Sequence, residues 1–529
     1  MADVVYGSDL TRRERILLFW ASFLSLVAGG FGFAFRVAMQ RGYGEEFSLT
    51  NHEVGMVFGA ALWPIAITMI GFSLIVDRTG YKWPMYGAFV LQVASGVGTF
   101  FADGYGMLYL FALCAGLGHG IIEAVINPIC AAVYPKEKTK WLTILHAAWP
   151  AGLVFGTLAI IGTEGTVDGL MQGPSWRPHA LWIVVPAIAY AILYLPCRFP
   201  VDERVKAGVP YMEMLRQVGA LSASIAAFLM IYEIGNQVDT LTGWEKPDQW
   251  FEISMGSGVG VGLFFGLWVR SLGRPLFFLM CLLMIPLATA ELGTDAWIQK
   301  LMKPVLADME INAAFALVFS ASIMLFFRVF AGGILQMFSP PALLCLSGVF
   351  SAAGLWWLSD ANGTAIFTAF VIYALGQTYY WPCVLGFVSE RYPHGGALTL
   401  NTVSAIGLLS VGVIGGQVLG VAFDKSIHQQ VATEAPLLAK ASEADKKFLG
   451  MRHKAILPAK KKAFLEAMTD AGEKDRLNAV YMVADERAGR DVLSYAVRFP
   501  AILFLAFGII TLYFRSRGGY KPIELEQRE

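Results

Sequence analysis

Glu123 and Asn127 stand four residues apart in a stretch, Ala112 to Val133, that is otherwise apolar or glycine apart from His119. On a helix that spacing places a carboxyl and an amide on one face, a turn apart. A carboxyl in such surroundings alternates between a neutral and a charged form, and the charged form costs roughly 2.5–3.5 kcal/mol at the centre of a bilayer. His146 lies in the next apolar stretch, where its imidazole both donates and accepts hydrogen bonds. Further on, Glu233 and Gln237 are a turn apart, with Asn236 between them and Asp239 beyond. Gln377-Thr378-Tyr379-Tyr380-Trp381-Pro382 sets an amide and three aromatic rings before a proline that kinks a helix. Anchoring at a membrane interface is the competing use of such rings. Asn401 and Ser404 are weaker candidates of the same kind. Two cations, Arg36 and Arg328, also interrupt apolar stretches; each either meets an anion, snorkels to an interface or closes a gate.

These residues need elements that hold them out of water. The chain has 529 residues, 56% of them hydrophobic and 15% charged. A soluble domain carries about 25% charged residues. Lipid must solvate much of that apolar surface. A spanning helix needs about 20 apolar residues, because each backbone amide must be bonded internally in hydrocarbon. By that ruler the first half has spans near 15–37, 52–76, 83–102, 106–134, 140–162 and 179–197. After a polar linker, Arg198 to Arg216, come spans near 216–238, 253–270, 274–291, 312–335, 340–358, 364–388, 397–421 and 497–515, about fourteen in all. The first run follows Arg12, Arg13 and Arg15 without a cleavage site, so it reads as a retained helix and not a signal peptide.

Lysine and arginine in short loops mark the cytoplasmic side. One set of loops holds Arg12, Arg78, Lys82, Lys136, Lys138, Arg198, Arg204, Arg270, Arg274, Arg391 and Arg515; the other holds Arg41, Arg177, Lys246, Lys300 and Lys303. Both termini are therefore expected in the cytoplasm, and the location is the cell (inner) membrane. Residues 424–496 are charged and would form a small helical cap outside, through segments such as Lys461–Met468 and Arg476–Arg487. The six cysteines make no CxxC pair, and no Ser/His/Asp set, metal cluster or nucleotide loop is visible. Neither an enzyme nor a resident cofactor is expected. Zero net charge gives no reason to expect nucleic acid as a partner.

Asp77-Arg78-Thr79-Gly80-Tyr81-Lys82, between the second and third spans, resembles the loop G-x-x-x-D-R-x-G-R-K of the major facilitator superfamily. Gly71 falls two positions early, Ser73 takes the usual glycine site and Tyr81 replaces a base. Gly332 to Pro340 is similar to a second copy that has lost its acid and base. The resemblance implies a membrane fold of two related six-helix bundles, with the Asp77 loop latching them; Asp77, Arg78 and Arg328 are the expected gate. Residues 1–200 would form the first bundle, 201–215 a linker and 216–529 the second. If 216–238 is the seventh helix of that plan, 250–292 is an inserted hairpin.

Ala115-Gly116-Leu117-Gly118 ahead of Glu123 and Asn127-Pro128, then Leu142 to His146 and Gly152, is similar to the fucose-permease-type sugar/proton symporters. That resemblance implies a secondary active carrier of a sugar or similar solute, with the solute at the midplane and Glu123 as the proton-coupling acid. Sugar contacts would fall to Asn127, His146, Glu233, Gln237, Gln377, Tyr380, Trp381 and Asn401, aromatic faces packing on the C–H faces of pyranose rings. Ile16 to Ala34 lacks the acid the family's first helix usually carries. Sodium coupling stays open. So do an anion carrier for nitrate or a carboxylate, using Arg36 and Arg328, and a sensor that reads solutes without moving them. The expected partners are a small solute and the bilayer, and the expected state is a monomer.

Overall fold

The computed structural model describes residues 5–164, 176–311, 314–448 and 451–525. The apolar runs fold as helical rods, several broken where proline or glycine interrupts the ladder. In the first half these are α1 (Arg12–Glu46), α2 (Asn51–Ala60 and Trp63–Thr79), α3 (Lys82–Phe100), α4 (Tyr105–Val133), α5 (Lys138–Leu145 and Ala148–Glu164) and α6 (Trp176–Trp182 and Val184–Tyr194). Then come α7 (Tyr211–Thr242) and α8 (Trp250–Val269). Next are α9 (Pro275–Ala288, a π turn Thr289–Gly293, and Asp295–Asp308), α10 (Phe315–Val329 and Ala331–Met337), α11 (Pro340–Leu358) and α12 (Ala365–Gln377 and Tyr380–Arg391). The chain ends in α13 (Gly396–Ser410, a π turn Val411–Gly415, and Gly416–Glu434), α14 (Ala471–Ala496) and α15 (Arg498–Ser516).

Among the described residues, eleven helices are long and apolar enough to cross a membrane, or twelve if the α10 pair, bent by 57°, is one span. Lys82–Phe100 and the broken run Ala365–Arg391 are not among them, so this count is lower than the expected fourteen or so. Span 312–335 begins on two residues outside the described ones.

The two halves repeat one packing pattern. In the first, α1 lies on α5, α2 on α4 and α3 on α6; in the second, α9 lies on α13, α10 on α12 and α11 on α15. Glycine permits the closest approaches: a Cβ on Gly152 would stand 2.3 Å from the Val27 carbonyl, and one on Gly354 would stand 2.3 Å from the Tyr373 amide nitrogen. Segment 253–270 does not form the expected hairpin with the helix after it. It packs on α7, through Gly258, Gly262 and Gly266, while Phe264, Leu267 and Trp268 on its other side are exposed. Small residues every fourth position make such a close seam. The segment that follows, α9, instead lies between α10, α12 and α13.

At the end of α13 a separate small core of Ile427, Val431, Leu438, Ile456, Leu465 and Leu477 holds the cap. The expected helices appear as Pro458–Glu466 and α14. The structure adds an antiparallel hairpin, β1 (Glu443–Phe448) and β2 (Met451–Ile456), with Glu443 opposite Ile456. A run as charged as Glu443 to Lys454 hides a strand well, since Ala444, with Ala455 opposite it, and Phe448 are the apolar marks of one face.

Candidate functional site

The glycine face of α4 lets α2 come close: a Cβ on Gly120 would stand 2.6 Å from the Ile65 carbonyl. This buries Glu123, Asn127 and His119. Asn127 Nδ2 donates to Glu123 Oε2 at 3.1 Å, and Asn127 Oδ1 faces His146 Nε2 at 2.9 Å, so the imidazole donates through Nε2. His119 Nε2 lies 3.8 Å from Glu123 Oε1. The structure thus brings Glu123, Asn127 and His146 into one buried polar chain.

Three prolines extend that chain across the molecule. Proline has no amide to bond the carbonyl four residues before it. Pro128 therefore frees the carbonyl of Ala124, Pro150 that of His146, and Pro382 that of Thr378. A carbonyl freed inside a membrane must find another donor. Asn401 Nδ2 of α13 donates to Ala124 O at 3.0 Å. Arg328 of α10 takes the other two, through Nη1 to His146 O at 3.0 Å and through Nε to Thr378 O at 2.8 Å. Its Nη2 meets Glu291 Oε1 at 2.7 Å, with both side chains buried. Arg328 was expected in the gate beside the degenerate loop. It lies buried where α5, α9, α10 and α12 meet, joining the halves.

The other expected contacts are dispersed. Asn401 also donates to Ser73 Oγ at 2.7 Å, which ties α2 to α13. Gln377 is buried against Met324, and Tyr380 donates to the Ser347 carbonyl of α11 at 3.4 Å, inside its own half. Trp381 packs on Gly407 of α13. Ser404 is buried in α13. Glu233 and Gln237 sit on α7, bonded to each other at 2.6 Å, and Gln237 accepts from Tyr109 at 2.9 Å. Tyr109 and Glu123 both lie on α4. Their spacing in the sequence sets the Gln237 pair roughly 21 Å along the helix from the polar chain.

Arg36 turns inward and does not snorkel. Its Nη2 donates to Ser95 Oγ at 3.1 Å, and no carboxylate lies within ion-pair distance of it among the described residues. It lines a cavity of about 20 Å³ with Gln92, His119, Trp149, Phe33 and Phe58. That is room for one water. Gln92 Oε1 and His119 Nδ1 are buried there without a partner among the described residues.

At the Asp77 end the halves are tied more firmly. Asp77 pairs with Arg204, while Arg78 is exposed. Tyr81, at the position of the missing base, donates to Asp202 Oδ2 at 3.1 Å, and the Ala397 amide donates to the same oxygen at 3.1 Å. Lys138 meets Glu203 and the Ser389 carbonyl, and Thr139 donates to Glu390. Asp202, a linker residue, thus joins a loop of the first half to α13 of the second. Sequence reasoning missed Asp202, Glu291, Asp295 and Glu390; the first two proline signals, Asn127-Pro128 and Trp149-Pro150, were visible but not followed to the carbonyls they free.

The family model of the Major Facilitator Superfamily matches residues 21–421. The chain belongs to that superfamily, a multi-pass membrane transporter of small solutes. It is 22% identical over 209 residues to a gentisate transporter of Corynebacterium glutamicum, a match covering 38% of this chain and less than half, 44%, of that relative. Solved structures with the same fold include the proton:xylose symporter bound to 6-bromo-6-deoxy-D-glucose, at TM-score 0.57 and 16% identity over 80% of this chain and 91% of the other. The E. coli fucose:proton symporter superposes at 0.55 with 12% identity over 94% and 98%. The human organic anion transporter superposes at 0.54 with 10% identity over 93% and 99%.

Proposed function

We propose that the protein moves a small polar solute by alternating access, with protons as the coupling ion and a sugar or polyol as the cargo. The observation that carries this reading is the buried chain Glu123–Asn127–His146 in the interior of the first half, continued to the second half by Arg328. A lone intramembrane acid bonded to an amide is a group whose protonation changes what its neighbours can bind. The likeness of α4 and α5 to the sugar symporters supports the cargo. Both termini would be cytoplasmic, in the inner membrane, as would the Asp77 end.

In this reading the inserted pair is α7 with α8, and α9 takes the seventh place in the twelve-helix plan. The repeated packing of the halves supports that assignment: it uses α9 through α13 and α15 and leaves α7 and α8 over.

A second reading has its own support. Arg36 is a membrane-embedded cation with no acid partner among the described residues, set among aromatic rings, and the gentisate transporter is a relative. That combination suits an aromatic carboxylate. Proteoliposomes with an imposed proton gradient separate the two. Accumulation of labelled fucose or xylose, abolished by Glu123→Gln while counterflow exchange persists, supports the first reading. Uptake of gentisate that is indifferent to both sugars and lost in Arg36→Gln overturns it.

A further inference from the structure

The second half contains a charge cluster that the Glu123 chain does not use. Glu291 lies on the π turn of α9, and Asp295 follows one helical turn later. Arg328 supplies one positive charge. Among the described residues, two carboxyls and one guanidinium leave one negative charge without a counterion, at a site where an uncompensated charge is costly. The unmet capacity is visible atom by atom: among the described residues, Glu291 Oε2 and Asp295 Oδ1 are both buried with no hydrogen-bond partner. The cluster therefore has a place for a cation, and a proton is the one that fits a packed interior without new ligands.

The other groups around it are neutral. Tyr373 of α12 donates to Ala290 O and shares its hydroxyl with Thr294, so its hydrogen is committed to the backbone. Tyr380 and Cys383 of α12 are the remaining titratable neighbours. On α13 the facing π turn, Val411–Gly415, has no ionisable residue, and Leu419 is its next contact. The ionisable residues of α15, which also touches the π turn, are Arg498, Tyr513 and Arg515 at its ends. His146 of α5 faces the cluster from the other half through Arg328.

The π turns explain how one helix can respond locally. A π turn breaks the regular ladder and recurs at working positions in helices. The turns of α9 and α13 pack directly together, so closely that a Cβ on Gly415 would stand 2.2 Å from Thr289 Oγ1. Glu291 sits on the α9 turn.

We propose that Glu291 is a second coupling carboxyl, whose protonation releases Arg328 from α9 and loosens the bond from Arg328 to the His146 carbonyl, one of the bonds that join the two halves. The proton comes from water and bonds a carboxylate oxygen, and Arg328 exchanges an ionic acceptor for a neutral one. This inference rests on the proton-coupled reading above, but it places the switch between α9 and α10 as well as at Glu123. Arg328 makes one ionic and two carbonyl bonds. A hydrogen bond to a charged acceptor is about twice as strong as one to a neutral acceptor. Losing the ionic one is thus enough to shift a two-state balance about tenfold.

The test needs no knowledge of the cargo. Spin labels placed through Trp83→Cys and Met337→Cys, both well exposed on opposite halves at the Asp77 end, report their separation in nanodiscs by pulsed electron resonance. The parent is expected to shift its distance distribution about tenfold in population between alkaline and acidic buffer. Glu291→Gln should hold the acidic distribution in both buffers, and Glu291→Asp, which keeps a carboxyl, should move the midpoint pH of the shift. If both variants titrate as the parent does, Glu291 is no switch while the proton-coupled reading survives. If the parent itself does not respond to pH, both fall. Should Glu291→Gln fail to fold, the unmoved midpoint of Glu291→Asp is sufficient to overturn the proposal.

Discussion

Asn401 is the residue whose removal should be felt most directly. Its amide satisfies Ala124 O, which Pro128 has left open, and at the same time bonds Ser73 across the halves. Asn401→Ala strands a buried acceptor, at about 1–3 kcal/mol. That cost falls on the arrangement in which α2 and α13 touch, so a maleimide probe should label a cysteine buried at the Asp77 end about tenfold faster in the variant. Equal labelling would mean the bond contributes nothing. Residues such as Glu123, Asn127 and His146 were legible because helical spacing alone puts the first two on one face. Glu291 was not, because hydropathy treats an acid near the end of an apolar run as its terminus. The expected span stops at residue 291, whereas the helix continues, with the π turn, to Asp308. Tyr380 was legible as buried but not in its direction, since sequence does not say which neighbour a ring faces.

At the scale of elements, apolar length located the helices, but pairing had to come from their surfaces. The signal that α8 belongs with α7 was present as Ser254, Gly258, Gly262 and Gly266, small residues on one face. A Cβ on Gly262 would stand 1.9 Å from Ser224 Oγ. Gly262→Leu should accordingly prise α8 from α7 and lower the melting temperature, with an overpacking cost of about 1–3 kcal/mol. Transport by the folded fraction should persist, because α8 makes its main contacts with α7 alone. The cap hairpin offers a pH test. Hydrogen bonds from Lys454 and then His428 hold the Glu443 carboxyl below its usual range. A depressed value in the folded state means that the stabilisation is present above the ordinary carboxylate range and is lost as pH falls through the lowered one. Amide exchange across 443–456, corrected for intrinsic rate, should accelerate in acid for the parent and show no such acid dependence in Glu443→Gln.

For the whole molecule, the Asp77 loop and its decayed copy from Gly332 to Pro340 made the superfamily readable from sequence. The state of the molecule was not readable, because it depends on contacts between residues hundreds of positions apart. Asp202 is such a contact. Burial raises its carboxyl above the ordinary value, partly opposed by the Arg204 amide. The closed Asp77 end therefore binds a proton there more tightly than an opened, wetted end would, so protonation of Asp202 is a contribution that favours closure and opposes the loosening that protonation of Glu291 brings. Asp202→Asn should remove this opposing contribution and leave the Glu291-dependent loosening in acid, and Asp202→Ala should shift the end toward opening at every pH, both read by spin-label distance. Finally, α13 runs as one rod from Gly396, beside Asp202 and Ser73, to Glu434, with its Ile427 and Val431 in the core of the cap. At the rise of a helix its length is roughly 58 Å. Such a rod is a lever with its fulcrum at the π turn. An antibody fragment gripping the cap from one side of the bilayer would push on the seal at the other, and could hold the molecule shut without ever touching its passage.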